Sequence, residues 1–440
     1  MNNPINSEDQ ERVLGALHSR GWVSSEDLMA VLGKSQPTVS RVLASLSGRV
    51  LAFGNARARR YGLPRLIRGR PARRPVWWTD EQGRTHELAM LTFLAAGMVC
   101  IESESIQSAA YRELPWFLTA LRAQGFLGRI HARRFQYAGL HEDPEQWDLE
   151  GVLFAALHLH DAPGAITLGD AGQHQEPSHR LADGARLPGG LDRLARDIAS
   201  TLPAGSSAGG LQPKFLATLD RDRHVLVKFT PPRATPFGDR WHDLLWAEWL
   251  AGRVLQAHGF EVAQARVVSS PTRTYLVSER FDRIGAAGRR HVLSIGDVHK
   301  AFVADAYSHW AATAGELRRQ GRLRPPDPQR ASALLGFGRL IGNSDMHGGN
   351  LGLFVDWQDL AKGRFRLAPV YDMLPMRWKP NPEMGGAADY GPFEPELSPI
   401  TRPALPVARD YWERLGGLAE VSAGMRGLAM EMFRRLARAG

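Results

Sequence analysis

Two short apolar runs hung between polar anchors narrow the fold of this chain more than any other feature. Gly342-Asn-Ser-Asp-Met-His-Gly-Gly-Asn350 leads into Leu351-Gly-Leu-Phe-Val355, and Phe365-Arg-Leu-Ala-Pro-Val370 leads into Tyr371-Asp372. Such a pair reads as a hairpin. Asp372 lies 22 residues beyond Asn350, and a hairpin would bring it back beside that residue. Asp345 stands five residues before Asn350. The two carboxylates and one carboxamide are the side chains a phosphoryl-transfer loop uses. One Asp accepts the proton of an attacking hydroxyl, while the Asn and the other Asp hold the magnesium ion that bridges two phosphates. Asp and Asn also pair in ordinary turns, so the reading leans on what lies upstream.

Upstream, Leu202-Pro-Ala-Gly-Ser-Ser-Ala-Gly-Gly-Leu-Gln-Pro-Lys-Phe215 is rich in small residues and ends at a lysine. Backbone N–H groups of such a run, through Gly209, Gly210 and Gln212, can approach an anion closely, with Lys214 as a fixed charge. It matches neither a Walker A loop nor Gly-x-Gly-x-x-Gly, and a flexible linker has the same composition. His224-Val-Leu-Val-Lys-Phe229 reads as a strand carrying one lysine, Lys228. It is either an edge lysine facing water or a lysine set on nucleotide phosphates. From Trp241 to His258 the apolar spacing is helical. Glu248 sits in that helix, either paired with Lys228 or on its wet face. Arg273-Thr-Tyr-Leu-Val-Ser-Glu-Arg-Phe-Asp282 reads as a strand leaving into a charged turn, a hinge that could offer backbone groups to an adenine.

Small-residue loop, strand lysine, helix glutamate, hinge strand, Asp-x-x-x-x-Asn and metal Asp follow the order of a kinase. The blocks Ser207-Ala-Gly-Gly-Leu-Gln-Pro-Lys214, Val227-Lys-Phe229, Glu279-Arg-Phe-Asp-Arg283, Gly342–Asn350 and Tyr371-Asp372 resemble the HipA family of toxin serine/threonine kinases. Asp148-Leu-Glu-Gly-Val-Leu-Phe-Ala-Ala-Leu157 and Gly164-Ala-Ile-Thr-Leu168 are similar to that family's N-terminal subdomain. The likeness covers roughly 86–440, and the fused N-terminal module resembles the YjjJ-type subgroup. The resemblance implies ATP- and Mg2+-dependent phosphoryl transfer to a protein serine or threonine. Asp345 would be the proton acceptor, Asn350 and Asp372 would hold the metal, and Lys228 would lie on the phosphates. Glu279, Arg280 and Phe281 would sit at the adenine, with His347 and Tyr371 lining the nucleotide pocket. Ser207 matches the serine that the family autophosphorylates to switch itself off. Aminoacyl-tRNA synthetases are among known family substrates, and an antitoxin protein is a possible partner. Leu211 is bulkier than the residue usual in the loop, and Gly349 replaces a common lysine.

Before this region, Ser7-Glu-Asp-Gln10 and Ser24-Ser-Glu-Asp27 look like capped helix starts. Gly33 ends the second helix, and Ser35 can cap a third whose Val39, Val42, Leu43 and Leu46 form one apolar face. Two helices joined by so short a turn describe a helix-turn-helix. The third would present Gln36, Thr38, Ser40 and Arg41 to a major groove. Val50 to Phe53 and Arg57 to Tyr61 read as a β-ribbon, a wing carrying Arg57, Arg59 and Arg60. From Leu28 to Thr79 there is no acid, against one lysine and ten arginines. Laid over such a module, that run reads as a footprint for DNA phosphates; alone it would be a solvated face.

At 440 residues the chain has room for two to four domains. The expected division is 1–63 winged helix-turn-helix, 64–85 basic linker, 86–200 HipA-like N-terminal subdomain, 201–290 nucleotide-binding part and 291–440 helical part. The expected class is therefore mixed α/β (α+β) and multidomain. Cys100, the single cysteine, cannot form an intramolecular disulfide and reads as buried helix core within Leu88–Ile101. That run is too short to span a bilayer, and no signal-peptide core precedes it, so a soluble, cytoplasmic protein is expected. Two rival readings stand: a DNA-binding regulator whose kinase fold only senses nucleotide, and a small-molecule phosphotransferase.

Overall fold

The computed structural model describes residues 7–54, 59–159, 161–170, 179–200, 212–380 and 389–439. The chain divides into two compact units. The first is Met1–Asp80, Arg84–Gln124 and Gly128–Gln175; the second is Glu81–Gly83, Gly125–Leu127 and Glu176–Gly440.

The first unit opens with α1 (Ser7–Arg20), β1 (Trp22–Ser24), α2 (Ser25–Leu32), α3 (Gln36–Ser45), β2 (Leu51–Phe53) and β3 (Arg60–Gly62). The strands order β1-β3-β2, so β2 and β3 form the expected ribbon. Ser24 caps α2 in a capping box with Asp27, and Gly33, at φ 66°, terminates that helix. Val13, Leu17, Val23, Leu28, Leu32, Val39, Val42 and Leu46 close one core, along the faces read from the sequence. Ser35 departs from expectation. It occupies the N-cap of α3 but its hydroxyl makes no capping bond; it lies 3.4 Å from the Thr38 hydroxyl instead.

The next elements are β4 (Arg73–Thr79), β5 (Thr85–Leu94), β6 (Met98–Glu102), β7 (Ala109–Tyr111), α4 (Gly125–Arg134), α5 (Leu149–Ala156) and β8 (Ile166–Leu168). The five strands form an antiparallel sheet ordered β7-β6-β5-β4-β8. Two expectations fail here. Residues 64–85, read as a linker, contain β4, an interior strand of that sheet. Arg65 N–H donates to Phe93 O at 3.0 Å, and Ala95 N–H donates to Leu63 O at 2.8 Å, so this basic stretch is bonded structure. Cys100 is buried as expected, but on strand β6 rather than in a helix. The apolar run breaks at Ala96 (φ 56°) and Gly97 (φ 66°) into two strands, which an unbroken helix would not allow. The three-helix module rests directly on this sheet. Phe53, Leu94, Met98 and Cys100 share a cluster with Trp22 and Leu51, and a Cβ on Gly62 would meet Leu94 Cδ1 at 2.8 Å.

The second unit begins with β9 (Arg180–Leu181), α6 (Leu187–Ser200), β10 (Lys214–Leu219), β11 (Arg223–Phe229), α7 (Pro236–Ala257), β12 (Ala265–Ser269) and β13 (Thr274–Glu279). The sheet order is β12-β13-β11-β10-β9, which makes β11 interior and Lys228 no edge residue. Leu187, Leu191 and Ala195 of α6 cover the sheet through Phe215, Val227 and Tyr275. Residues 180–200 therefore belong with the following sheet, not with the preceding subdomain as expected. After β14 (Arg283–Ile284), β15 (Gly288–Arg289) and β16 (Val292–Ser294), helices dominate. They are α8 (Ile295–Phe302), α9 (Trp310–Arg319), α10 (Asp327–Leu340), α12 (Leu405–Gly416) and α13 (Ala423–Ala439), with β17 (Gly352–Phe354), one-turn α11 (Trp357–Leu360) and β18 (Arg366–Leu367) between α10 and α12. Leu353 faces Leu367 across β17 and β18, the hairpin read from the sequence. No helix among the described residues is long and apolar enough to cross a membrane.

Candidate active site

Lys228 is 4% exposed, and an unpaired ammonium so placed would be costly. Two carboxylates meet it. Its Nζ donates to Glu248 Oε1 at 2.5 Å and also to Asp372 Oδ1. Glu248 is presented by α7 and Asp372 by the segment leaving β18, so three elements converge on one ammonium. Burial pushes Lys228 down, but the Asp372 and Glu248 carboxylates outweigh it and hold the group above its ordinary range. Burial opposes ionisation of Asp372 as well, yet Lys228 and Lys214 bring its pKa to about 2. Burial pushes Glu248 upward. Lys214 is the direct cross-strand partner of Lys228, so both lysines lie on the same face of the sheet. Like charges directly opposite are destabilising, and burial drives Lys214 down while Asp372 pulls it back.

The loop after α10 is held by its own side chains. Asn343 Oδ1 accepts the Asp345 N–H at 3.0 Å, and its Nδ2 reaches Asp372 O at 3.4 Å. Asn350 Nδ2 donates to Asp345 O at 2.7 Å, which fixes the carboxamide beside the loop. Tyr371 OH donates to Gly349 O at 2.8 Å, and Trp310 Nε1 donates to His347 O at 2.9 Å. His347 Nδ1 accepts the Gly349 N–H at 2.9 Å, and its Nε2 lies 3.7 Å from Asp345 Oδ1. The Asp345 side chain is 48% exposed, so its carboxylate is open to solvent. A Cβ on Gly348 would come within 2.8 Å of Gly296 Cα, so glycine is what lets α8 approach the loop. Asp372 has φ 53°. A non-glycine residue there costs on the order of 1 kcal/mol, a strain that tends to cluster at functional sites.

The hinge residues are placed differently from one another. Glu279 has an exposed side chain 3.5 Å from Arg223, and its N–H donates to Gln264 O at 2.7 Å. The Arg280 guanidinium grips Asp282 bidentately at 3.0 and 2.9 Å, which commits it to a buried pair. The Phe281 ring lies 5.6 Å from Tyr371, on the side of the loop. The structure thus brings Lys214, Lys228, Phe281, Asp345, His347, Asn350, Tyr371 and Asp372 into one unit. Ser207, Gly209, Gly210 and Leu211 lie outside the described residues. Sequence reading missed Asn343, Trp310 and Gly296. Asn343 had a signal, an Asn two residues before the Asp, the spacing of an Asx-turn.

In the first unit Gln36, Ser40 and Arg41 are exposed and Thr38 half-buried; Arg41 donates to the Thr38 hydroxyl at 3.3 Å. Arg59 is exposed, and the Arg60 guanidinium lies 5.3 Å from the Trp22 ring centre. Arg57 lies outside the described residues. Lys34, counted with the basic stretch, is bonded to the buried Asp9 at 2.5 Å.

A magnesium nucleotide fits the donors present. Magnesium is held by one or two carboxylates plus phosphate oxygens and water, rather than by an all-protein cage. Asp372 and Asn350 supply one carboxylate and one carboxamide oxygen, and no cluster of three or more His, Cys, Asp or Glu suited to a metal occurs among the described residues. Glu248 Oε2 and Gln212 Nε2 are buried polar atoms with no partner among those residues, which leaves polar capacity at this site for a ligand.

A family model described as HipA-like C-terminal domain matches residues 206–435, and one described as YjjJ-like toxin, middle domain, matches residues 70–176. The chain is 35% identical over 428 residues to Toxin YjjJ of Escherichia coli (strain K12), covering 94% of each. Solved structures are more distant. HipA of Shewanella oneidensis MR-1, from a complex with HipB and operator DNA, has 15% identity and a TM-score of 0.49 over 83% of this chain and 88% of that one. The Helicobacter pylori proinflammatory kinase CtkA has 12% identity and a TM-score of 0.35 over 54% and 91%. With its C-terminal model matched over more than half the chain and a relative matched nearly end to end, the chain belongs to the HipA-like family, on the branch of Toxin YjjJ.

Proposed function

We propose that this chain is a toxin kinase that transfers the γ-phosphoryl group of ATP to a protein serine or threonine. The observation that carries the reading is the buried Lys228 shared by Glu248 and Asp372, a strand cation paired with the carboxylate assigned here to the metal, with Asp345 half exposed on the loop after α10. Asp345 takes the proton of the acceptor hydroxyl as its oxygen bonds to the γ-phosphorus, and the bond to the β-bridging oxygen breaks to release ADP. Lys228 and Lys214 hold the phosphates, and Asn350 and Asp372 hold magnesium. When bound, magnesium neutralises charge on the transferring group. Tyr371, His347 and Phe281 line the nucleotide site, with the Glu279 and Arg280 backbone at its adenine end. The protein's part is positioning and charge.

On this reading Ser207 is a self-inactivation site. A phosphate there adds about −1.5 to −2 charge beside the nucleotide's own phosphates and repels ATP. The N-terminal module binds operator DNA: Gln36, Thr38, Ser40 and Arg41 read the groove, and Arg57, Arg59 and Arg60 lie on phosphates. A separate antitoxin partner and an aminoacyl-tRNA synthetase substrate accord with the family. The exposed Asp345 and the intact Asn350 and Asp372 favour catalysis over nucleotide sensing alone. Incubation with γ-labelled ATP and magnesium, followed by phosphopeptide mapping, tests the proposal. Label on serine or threonine, with Ser207 among the sites, is expected. No label on this chain or on added cell protein overturns it.

A further inference from the structure

Both helices that flank residues 303–309, the connection between α8 and α9, are fastened to the catalytic loop. On the α8 side, Ile295 N–H donates to Leu351 O at 2.8 Å, and Gly296 lies so close to Gly348 that a Cβ on either would crowd the other's backbone. On the α9 side, Trp310 Nε1 donates to His347 O at 2.9 Å. The buried His299 braces the connection from within. Its Nε2 donates to Asp305 O at 2.8 Å, and its Nδ1 lies 2.9 Å from the Thr313 hydroxyl of α9. Tyr307 stands edge-on against the same imidazole, with the ring centres 5.1 Å apart and the planes at 89°. A Cβ on Gly348 would meet Tyr307 Cζ at 3.3 Å. The tyrosine therefore rests on the loop that carries Asp345, and Asp305, two residues before it, is anchored to the same histidine.

Residues 304–308 are exposed. Tyr307 keeps 36% of its surface open, and no described residue bonds its hydroxyl or pairs with the Asp305 carboxylate. An exposed tyrosine or aspartate alone is ordinary surface. These two stand on a braced segment beside the residue assigned to take the acceptor's proton. Gly348 comes three residues after Asp345, so the Tyr307 ring lies within about 16 Å of the Asp345 Cα. An extended peptide covers that distance in about five residues. We propose that Tyr307 and Asp305 bind an arginine or lysine of the acceptor protein, within about five residues of the hydroxyl presented to Asp345. The ring attracts a cation laid on its face, and the Asp305 carboxylate adds an ion pair at the surface. This role rests on the phosphotransfer reading and adds to it the chemistry that selects the acceptor.

The test uses the full chain with ATP, magnesium and arrayed peptides that carry a central serine and a single arginine, placed in turn at each of the flanking positions. Wild-type protein should favour arginine at one or two positions near the serine by about three- to thirty-fold in kcat/KM, the joint scale of an exposed cation–π contact and a surface ion pair. Tyr307→Ala should remove most of that preference, and Tyr307→Phe should keep it, because the ring remains. Asp305→Lys should exchange arginine for glutamate at the same position, a switch that misfolding cannot produce. ATP affinity should be unchanged in all three variants. An arginine preference that survives both Tyr307→Ala and Asp305→Lys overturns the proposal, as does a wild type indifferent to where the arginine stands. Weakened ATP binding in Tyr307→Ala with the preference intact assigns the ring to the nucleotide and overturns it too. Label on added cell protein but on no peptide also counts against it, since residues beside the serine then do not select the acceptor. No label on peptides or on cell protein removes the phosphotransfer reading itself, and this role with it.

Discussion

Lys228, Glu248 and Asp372 come from three separate elements of the second unit and meet with Lys228 and Glu248 nearly out of reach of water and Asp372 partly open to it. Gln36, Ser40, Arg41 and Arg59 of the first unit stand on the surface of a small helical module whose core is complete without them. Both groups are polar and both belong to candidate binding sites, yet the fold treats them oppositely. A buried charge survives only with partners at hydrogen-bond distance, so the fold around it is committed to its geometry. An exposed charge needs no partner, is screened by salt within about 10 Å at 0.1 M, and leaves the fold indifferent to its removal. Function and stability are therefore coupled in the second unit and separable in the first.

That contrast can be broken by experiment. The largest effect is expected from Asp372→Ala, which removes the carboxylate proposed to hold magnesium. Phosphoryl transfer should fall by about a thousand-fold or more in a single-turnover assay with magnesium. The variant should also lose stability, because it strips Lys228 of a partner. Lys228→Met should cost about 3–5 kcal/mol of folding stability by leaving Glu248 and Asp372 without a counter-charge, read from the denaturant midpoint. An unmoved midpoint would mean that the trio is not a buried network.

Smaller effects belong to the first unit. Ser24→Ala removes the capping box of α2 and should cost about 0.5–2 kcal/mol in the same measurement. Changing Arg57, Arg59 and Arg60 to Ala should move stability by no more than about 0.5 kcal/mol. The same variant should flatten the salt dependence of duplex DNA binding by about two to three in log–log slope. Equal stability losses from the wing variant and from Lys228→Met would erase the distinction between the two units.

What could be read in advance follows the same line. Lys228 was visible because a lysine among Val, Leu and Phe is an anomaly that demands a partner, and Glu248 was the helix acid available to it. The hairpin of Leu353 and Leu367 was visible in its apolar runs, and with it the return of Asp372. The three helices of the first unit were visible because their contacts are local in sequence. Long-range contacts were not. Nothing near β4 announces that residues 76–78 pair with β8 some ninety positions on, and basic composition made the stretch look like linker. The Cys100 run was apolar throughout, and only the backbone turn at Ala96 and Gly97 separates its two strands. Ser35 had the residue type of a cap but not the bond. Arg280 was read only as part of a hinge whose backbone faces an adenine, and the pairing of its side chain with Asp282 could not be told from an exposed charge in sequence.

The most direct test of the central claim compares wild-type protein with Asp345→Asn, measuring ATP binding and γ-phosphoryl transfer on the same samples. Asp345 lies outside the Lys228 network and is half exposed, so its loss should leave the fold and nucleotide binding nearly unchanged. The account predicts ATP affinity within a few-fold of wild type and transfer reduced by about two to four orders of magnitude, the scale of a missing general base. Transfer at wild-type rate in Asp345→Asn would contradict it.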